Sequence, residues 1–211
     1  MMAISYPLAF PTVKIAKSIK IRMASKVAIS SSPFTFEQQI YAHQGEWQEA
    51  DIQIPPMERA DAETFIAFLA ALNGQEGTFL MGDPVGATPR GLATGSPVVD
   101  GASQTGKTLN TRGWTAGVNG ILLSGDWIQL GSGSTTHLHK IVQDADSNVG
   151  SPITDEAVLE IWPRLRSSPS DGDVIVVNSA KGIWRLPTNV REYTIEEAVI
   201  FGVAFSAMEA L

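Results

Sequence analysis

Apolar and polar residues alternate from Ser18 to Ala28, with Ile19, Ile21 and Met23 on one side and Lys20 and Arg22 on the other. A period of two predicts a half-buried strand. Ser30-Ser-Ser-Pro33 breaks it, Phe34 to Tyr41 begins a second extended segment, and Gly45 marks a turn. In Trp47 to Ile54, Ile52 and Ile54 again alternate with polar residues until Pro55-Pro56 ends the strand. The period then changes. Phe65, Phe68, Leu69 and Leu72 recur at helical spacing, behind Asp61 as a helix N-cap and ahead of Gly74 as a left-handed stop. Ala62, Ala67, Ala70 and Ala71 favour that helix and let it approach a sheet closely. Thr78 to Met81 resumes strand.

The run from Gly82 to Pro97 holds four glycines and three prolines and reads as the entry to a second unit. Short strands are predicted beyond it at Pro97–Val99, around Trp114, and at Gly120–Leu123, Trp127–Leu130, His137–Val142, Ala157–Trp162 and Asp173–Val177. Close spacing with Gly, Ser, Asp and Pro between them is the pattern of a small barrel or sandwich. Ile183–Leu186 and Val199–Phe205 return to the first unit, and Val199, Phe201, Val203 and Phe205 share a face. The layout predicts a mainly β protein with a discontinuous outer domain, residues 1–82 and 186–211, and a β domain inserted at 83–185.

Composition narrows the class. The chain has 211 residues, 44% hydrophobic and 18% charged, so it can bury a core. Its formal net charge of -7 argues against a surface built to grip nucleic acid. The basic cluster Lys14, Lys17, Lys20, Arg22 and Lys26 reads as a solvated strand face. The absence of cysteine removes disulfides, thiolate metal sites and cysteine nucleophiles, and fits folding in a reducing cytoplasm. No apolar run approaches the roughly 20 residues needed to span a bilayer. The N-terminus lacks the order of a signal peptide.

Gly101-Ala-Ser-Gln-Thr-Gly-Lys-Thr108 fits the phosphate-loop pattern G-x-x-x-x-G-K-[ST]. Such a loop works between a buried strand and a helix whose first N–H groups face the phosphates. Gly113, Gly117 and Gly120 follow too closely for a helix, so the stretch reads as a turn between strands. His137 and His139 share one side of a strand, but His43 is the only other histidine, so both read as structural rather than as zinc ligands. Asp144-Ala-Asp-Ser-Asn148, with Asp155 at the twelfth position, resembles a calcium loop. Val149 stands where that loop needs glycine and Pro152 intervenes, so a polar turn is the better reading. Glu196 and Glu197 diverge on a strand, and no G-x-S-x-G elbow activates a serine. No catalytic, cofactor-binding or metal-binding residue is assigned, and the chain is not expected to be an enzyme.

Seven stretches carry a family resemblance. They are Ser32-Pro-Phe-Thr-Phe-Glu-Gln-Gln-Ile-Tyr41, Trp47 leading to Ile54-Pro-Pro-Met57, Arg59-Ala-Asp-Ala62, Gly77-Thr-Phe-Leu-Met-Gly-Asp-Pro84, Gly125-Asp-Trp-Ile-Gln-Leu-Gly131, Ile161-Trp-Pro-Arg-Leu-Arg166 and Gly182-Ile-Trp-Arg-Leu186. In this order they resemble the distal tail proteins of long-tailed bacteriophages and related gene transfer agents. The resemblance spans nearly the whole chain and rests on turn and strand signatures. It implies a β-sandwich or split barrel with one helix, carrying an inserted small β-barrel of the oligonucleotide-binding-like type.

The resemblance further implies a structural virion protein of the viral tail, assembled in the host cytoplasm as a ring with itself, a homohexamer in the usual case. Its implied partners are the tail tube protein, the tail tip, hub or baseplate proteins and the tape measure protein. DNA would pass through the lumen without specific nucleic-acid binding, no membrane is involved, and no active residue is carried over. The rival reading is a receptor- or carbohydrate-binding module of the tail tip, with Trp114, Trp127, Trp162 and Trp184 as stacking platforms.

Overall fold

A computed structural model describes residues 4–14, 16–147, 154–195 and 200–211. The fold is mainly β. A six-stranded sheet runs in the order β1 (Leu8–Ala9), β5 (Thr78–Met81), β11 (Gly182–Arg185), β14 (Ala204–Glu209), β3 (Gln38–Gln53) and β2 (Ser18–Ser31). All neighbours are antiparallel except the parallel pair of edge strand β1 with β5.

One α-helix, α1 (Arg59–Ala71), occurs among the described residues and packs its apolar face on this sheet. Phe65 and Leu72 from the helix segment meet Ile52 of β3, Phe79 of β5 and Trp184 of β11, all within 2% of complete burial. Burying each such side chain is worth about 1.5–3 kcal/mol. Phe10, just after β1, sets its ring edge-on to Phe65 and Phe68 at 6.1 and 5.9 Å. The helix starts earlier than its sequence suggests. Glu58 is the N-cap and makes no side-chain capping bond, while Asp61 lies in the first turn and pairs with Lys14 at 3.0 Å. The stop is as expected, with Gly74 at φ +71°.

A three-stranded sheet joins β12 (Thr194–Ile195), β13 (Ile200–Gly202) and β4 (Met57–Glu58). The last apolar run is therefore two strands, not one. It changes sheets at Val203, whose carbonyl accepts from Ile54 N–H at 3.0 Å. Phe201 and Val203 still point into the first core, and Phe205 packs against it. Val199, like Glu196 and Glu197, lies outside the described residues.

The second core is a barrel. Its antiparallel sheet runs in the order β6 (Gly95–Val99), β7 (Thr108–Trp114), β10 (Ala157–Trp162), β9 (His137–Ile141) and β8 (Trp127–Leu130). The segment 173–177, expected as a strand, bonds to both edges of this sheet. Val174 bridges to Val98 in β6, and Val176 exchanges two bonds of 2.8 and 3.0 Å with Gln129 in β8. Part of each edge is thereby covered. Inside lie Leu109, Ile121, Ile128, Leu159 and Ile161, all fully buried. Gly120–Leu123, also expected as a strand, makes only one bridge, Leu122 to Ala145.

Candidate interaction surface

The β2–β3 pair outruns its own sheet. β14 covers β3 only from Glu49 to Gln53, whereas β2 follows β3 out to Gln38. From Glu46 to Gln48 the barrel covers the pair, and beyond Gly45 the two strands form a free ribbon. Gly45 sits inside β3 and marks a bulge instead of the expected turn. Lys26 opposes three residues, His43, Gln44 and Gly45, between the pairs Ser25–Glu46 and Val27–Ala42. A Cβ on Gly45 would stand 2.9 Å from Lys26 Cγ, so glycine lets the strands close up where the register slips.

Outside the bulge the ribbon buries nothing. Val27, Ile29 and Ile40 share one face at 50%, 62% and 63% exposure, with Ala42 beside them. Tyr41 stands on the other face, edge-on to His43 at 4.7 Å. At the tip, Phe34 and Phe36 are 91% and 80% exposed. The tip is nonetheless built. Ser32 N–H donates to the Glu37 carbonyl at 2.9 Å, and Phe36 N–H to the Ser32 carbonyl at 3.0 Å. Ser32 Oγ accepts from the N–H groups of Phe34 and Thr35, both at 3.3 Å. Phe36 holds φ +58°, a left-handed conformation rare for an aromatic residue.

The foot of the ribbon is charge-matched within the chain. Arg22 bonds Glu49 at 3.1 Å and Asp51 at 2.5 Å across the sheet, and Ser206 donates to Asp51 at 2.7 Å. The Ser206 hydroxyl, then the guanidinium, hold the Asp51 pKa below the ordinary range. The basic stripe thus behaves as the solvated strand face that its alternation suggested.

A junction clamps the barrel to the six-stranded sheet. Trp127, Leu138 and Ala180 bury one another there, with Ile21 against them. Around them lie buried charges. Arg166 forks onto Glu209 at 2.7 and 3.1 Å, and Glu209 also accepts from Gln48 N–H at 3.2 Å. Glu46, 5% exposed, takes the Lys107 ammonium at 2.6 Å and the Arg164 N–H at 2.9 Å. Burial pushes its pKa up, but the ammonium and the N–H outweigh it and the net shift is downward. Sequence reasoning missed this set, because Glu46 and Gln48 on β3 are far along the chain from Lys107, Arg166 and Glu209, and no spacing rule for buried ion pairs links them.

The stretch 101–108 forms the β6–β7 turn, with Gly101 and Gly106 at φ +85° and +90°, and enters strand β7 at Thr108. Its phosphate-binding groups are otherwise engaged. Lys107 is on Glu46, Gly101 N–H donates to Asp171 at 2.9 Å, and the Thr108 hydroxyl donates to Glu160 at 3.1 Å. His139 is buried with Nδ1 on the Pro163 carbonyl at 2.8 Å, and His137 is half-buried beside it. His43 is on the ribbon, so the three histidines do not meet.

Asp144, Asp146 and Asp155 each accept a different backbone N–H, from Ser124, Gly120 and Gly113 at 2.7, 2.6 and 3.1 Å. These bonds tie loops together. Asn148, Val149 and Pro152 of the calcium-like stretch lie outside the described residues. Among the described residues no group of three or more His, Asp or Glu converges to hold a metal. Trp114, Trp127 and Trp184 are buried with indole N–H donors on Thr111, Asp83 and Met81, and Trp162 is half-buried.

The second surface feature is a groove where the six-stranded sheet fails to close. It has a volume of about 370 Å³ and lies between Ala9 and Phe10 at the β1 edge and Ile19 at the foot of β2, with Leu80 and Ala180 also lining it. Lys14 and Lys181 line it too. No protein-family model matches the chain, and no curated protein does.

Proposed function

We propose that this chain is a structural protein of a bacteriophage tail, forming a ring at the distal end of the tail tube and joining the tube to the tip or baseplate. The resemblance supplies the identity. The observation that best supports it is the free ribbon beyond Gly45, which exposes Val27, Ile29, Ile40, Phe34 and Phe36. A two-stranded hairpin alone is marginally stable in water, and exposed apolar strands call for a partner. A closed ring supplies one to every subunit and ends growth.

In this reading the first core builds the ring and the barrel, inserted between β5 and β11 so that 182–185 belong to the six-stranded sheet and not to the inserted unit as the sequence suggested, projects from it, held by the Arg166–Glu209 and Lys107–Glu46 pairs. The partners are the tail tube protein on one side and tip or hub proteins on the other. The protein performs no catalysis. An acidic lumen would pass DNA without gripping its phosphates. The tryptophans give little support to the carbohydrate-binding reading, since three of the four are core.

The test is cryo-electron microscopy of the tail tip. A ring of this chain around the tube axis is the expected map. A single copy, or a peripheral fibre off the axis, overturns the reading and favours receptor binding.

A further inference from the structure

The tip and the groove lie in one molecule but cannot meet within it. Ile19 lines the groove, while the tip follows Ser31 on the same strand. At 3.3 Å per residue, those intervening residues of extended chain separate them by roughly 40 Å. Two apolar surfaces that cannot join in one chain can join between two.

The match is chemical. The tip offers two phenyl rings on a turn already fixed by four hydrogen bonds to Ser32 and Glu37. Holding an exposed aromatic residue at φ +58° stores strain without any gain in burial, which is the mark of a side chain presented for use. The groove offers an apolar lining from Ala9, Phe10, Ile19 and Leu80, in a volume suited to side chains rather than to a broad protein face. One charge pair agrees: Glu37 follows Phe36 at the tip, and Lys181 at the groove has no ion-pair partner among the described residues, whereas Lys14 is held by Asp61 and the groove's Asp83 by Trp127 and Val85 N–H.

We propose that the Phe34–Phe36 tip of one copy seats in the groove between β1 and the foot of β2 of a second copy. Phe34 and Phe36 fill the apolar floor, and Glu37 meets Lys181 at the lip. The prebuilt turn means little ordering is needed on contact, which favours binding. Each copy then carries one tip and one groove, a head-to-tail contact that yields a ring when the rotation closes. The contact deepens the ring reading and names the surfaces by which neighbours join, but it is tested separately.

The chain has no cysteine, so a single pair of introduced thiols reports cleanly. Full-length chains carrying Phe36→Cys are mixed with chains carrying Ala9→Cys, oxidised, and resolved on a non-reducing gel. Both sites are exposed, so neither change threatens folding. The expected result is a disulfide-linked heterodimer that is lost when Phe34→Ser is added to the tip or Lys181→Glu to the groove. A parallel mixture of Phe36→Cys with Val158→Cys, on the barrel surface, sets the background of random collision. A yield no higher than that background overturns the contact.

Electron microscopy of assembled tail tips bearing Phe34→Ser and Phe36→Ser separates the two ideas. Intact rings, together with background-level trapping, sink the tip-in-groove contact and leave the ring reading standing. Specific trapping in particles that hold no ring sustains the contact and overturns the ring.

Discussion

Acidification should weaken the barrel through His139. The ring is 1% exposed, and its Nδ1 donates to the Pro163 carbonyl at 2.8 Å. Burial is the main force on its pKa, which lies at about 4 against an ordinary 6.5; the Pro163 carbonyl opposes the shift, while His137 and Arg166 add repulsion. The folded state therefore holds the ring neutral, and the unfolded chain takes up the proton first. Stability is complete above the unfolded value of 6.5 and falls as pH drops toward the folded value of about 4. The gap of 2.5 units sets a limit of about 3 kcal/mol, of which about 2 kcal/mol is already lost at pH 5.

Glu46, Glu49 and Asp51 have pKa values pushed below their ordinary 4.5, 4.5 and 3.8, so most of their loss comes at lower pH. Comparing pH 7 with pH 5 therefore isolates the histidines; His137, whose pKa burial also lowers, adds a loss in the same window that the His139 variant keeps. Urea unfolding followed by tryptophan fluorescence measures the change, and His139→Asn removes the titrating ring. The slope with pH, not the absolute stability, is the readout, because the variant also leaves a gap in the core. The intact protein should lose about 2 kcal/mol between these pH values and the variant clearly less. Equal losses in both would refute the reasoning, since the proton would then be taken up elsewhere.

Arg166→Ala leaves Glu209 buried and unpaired against Gln48, and should lower stability by about 3–5 kcal/mol in denaturant unfolding; a loss under about 1 kcal/mol would mean the junction relaxes or admits water. Calorimetry with ATP and magnesium should give no binding heat. Lys107→Ala should act on folding instead, lowering stability by about 1 kcal/mol through Glu46, because the lysine is itself half-exposed. Micromolar ATP binding that disappears in Lys107→Ala would overturn the assignment of this stretch as a turn.

The sequence reads well where burial and period coincide. Ile52 and Ile54 alternate, Phe65 and Leu72 recur at helical spacing, and Gly74 takes the left-handed stop. It reads poorly where hydrogen bonds, not side chains, define the element. The 173–177 segment is an ordinary apolar run along the chain. Only its bonds to Val98 and Gln129 make it the closing stave of a barrel. Val203 shows the same limit: an unbroken apolar face from Phe201 to Phe205 hides a change of sheet, because both sheets cover one core. The buried pairs at the junction are illegible for a further reason. A glutamate in a strand is read as solvated until the element covering it is known, and Lys107, Arg164 and Arg166 lie 61, 118 and 43 positions from the glutamates they meet.

The ribbon makes the point most sharply, because one pattern carries two fates. Inside the bulge, Ile52 becomes core and Ile19 packs half-buried against it; outside it, Val27, Ile29 and Ile40 show the same alternation and stay exposed. Nothing in a period of two distinguishes them, since the period reports a two-faced strand and is silent on whether a second layer exists. What separates them is length. The helix and β14 are too short to cover strands of 14 and 16 residues, so the surplus must run free. The sequence does leave one sign. Polar Ser30, Ser31 and Ser32 precede Phe34 and Phe36, and polar Glu37, Gln38 and Gln39 follow them, so two aromatic rings sit in a turn that has no apolar neighbours to fold against. Such a turn leaves both rings to solvent in the single chain, and the groove, roughly 40 Å away along the same strand, is out of their reach.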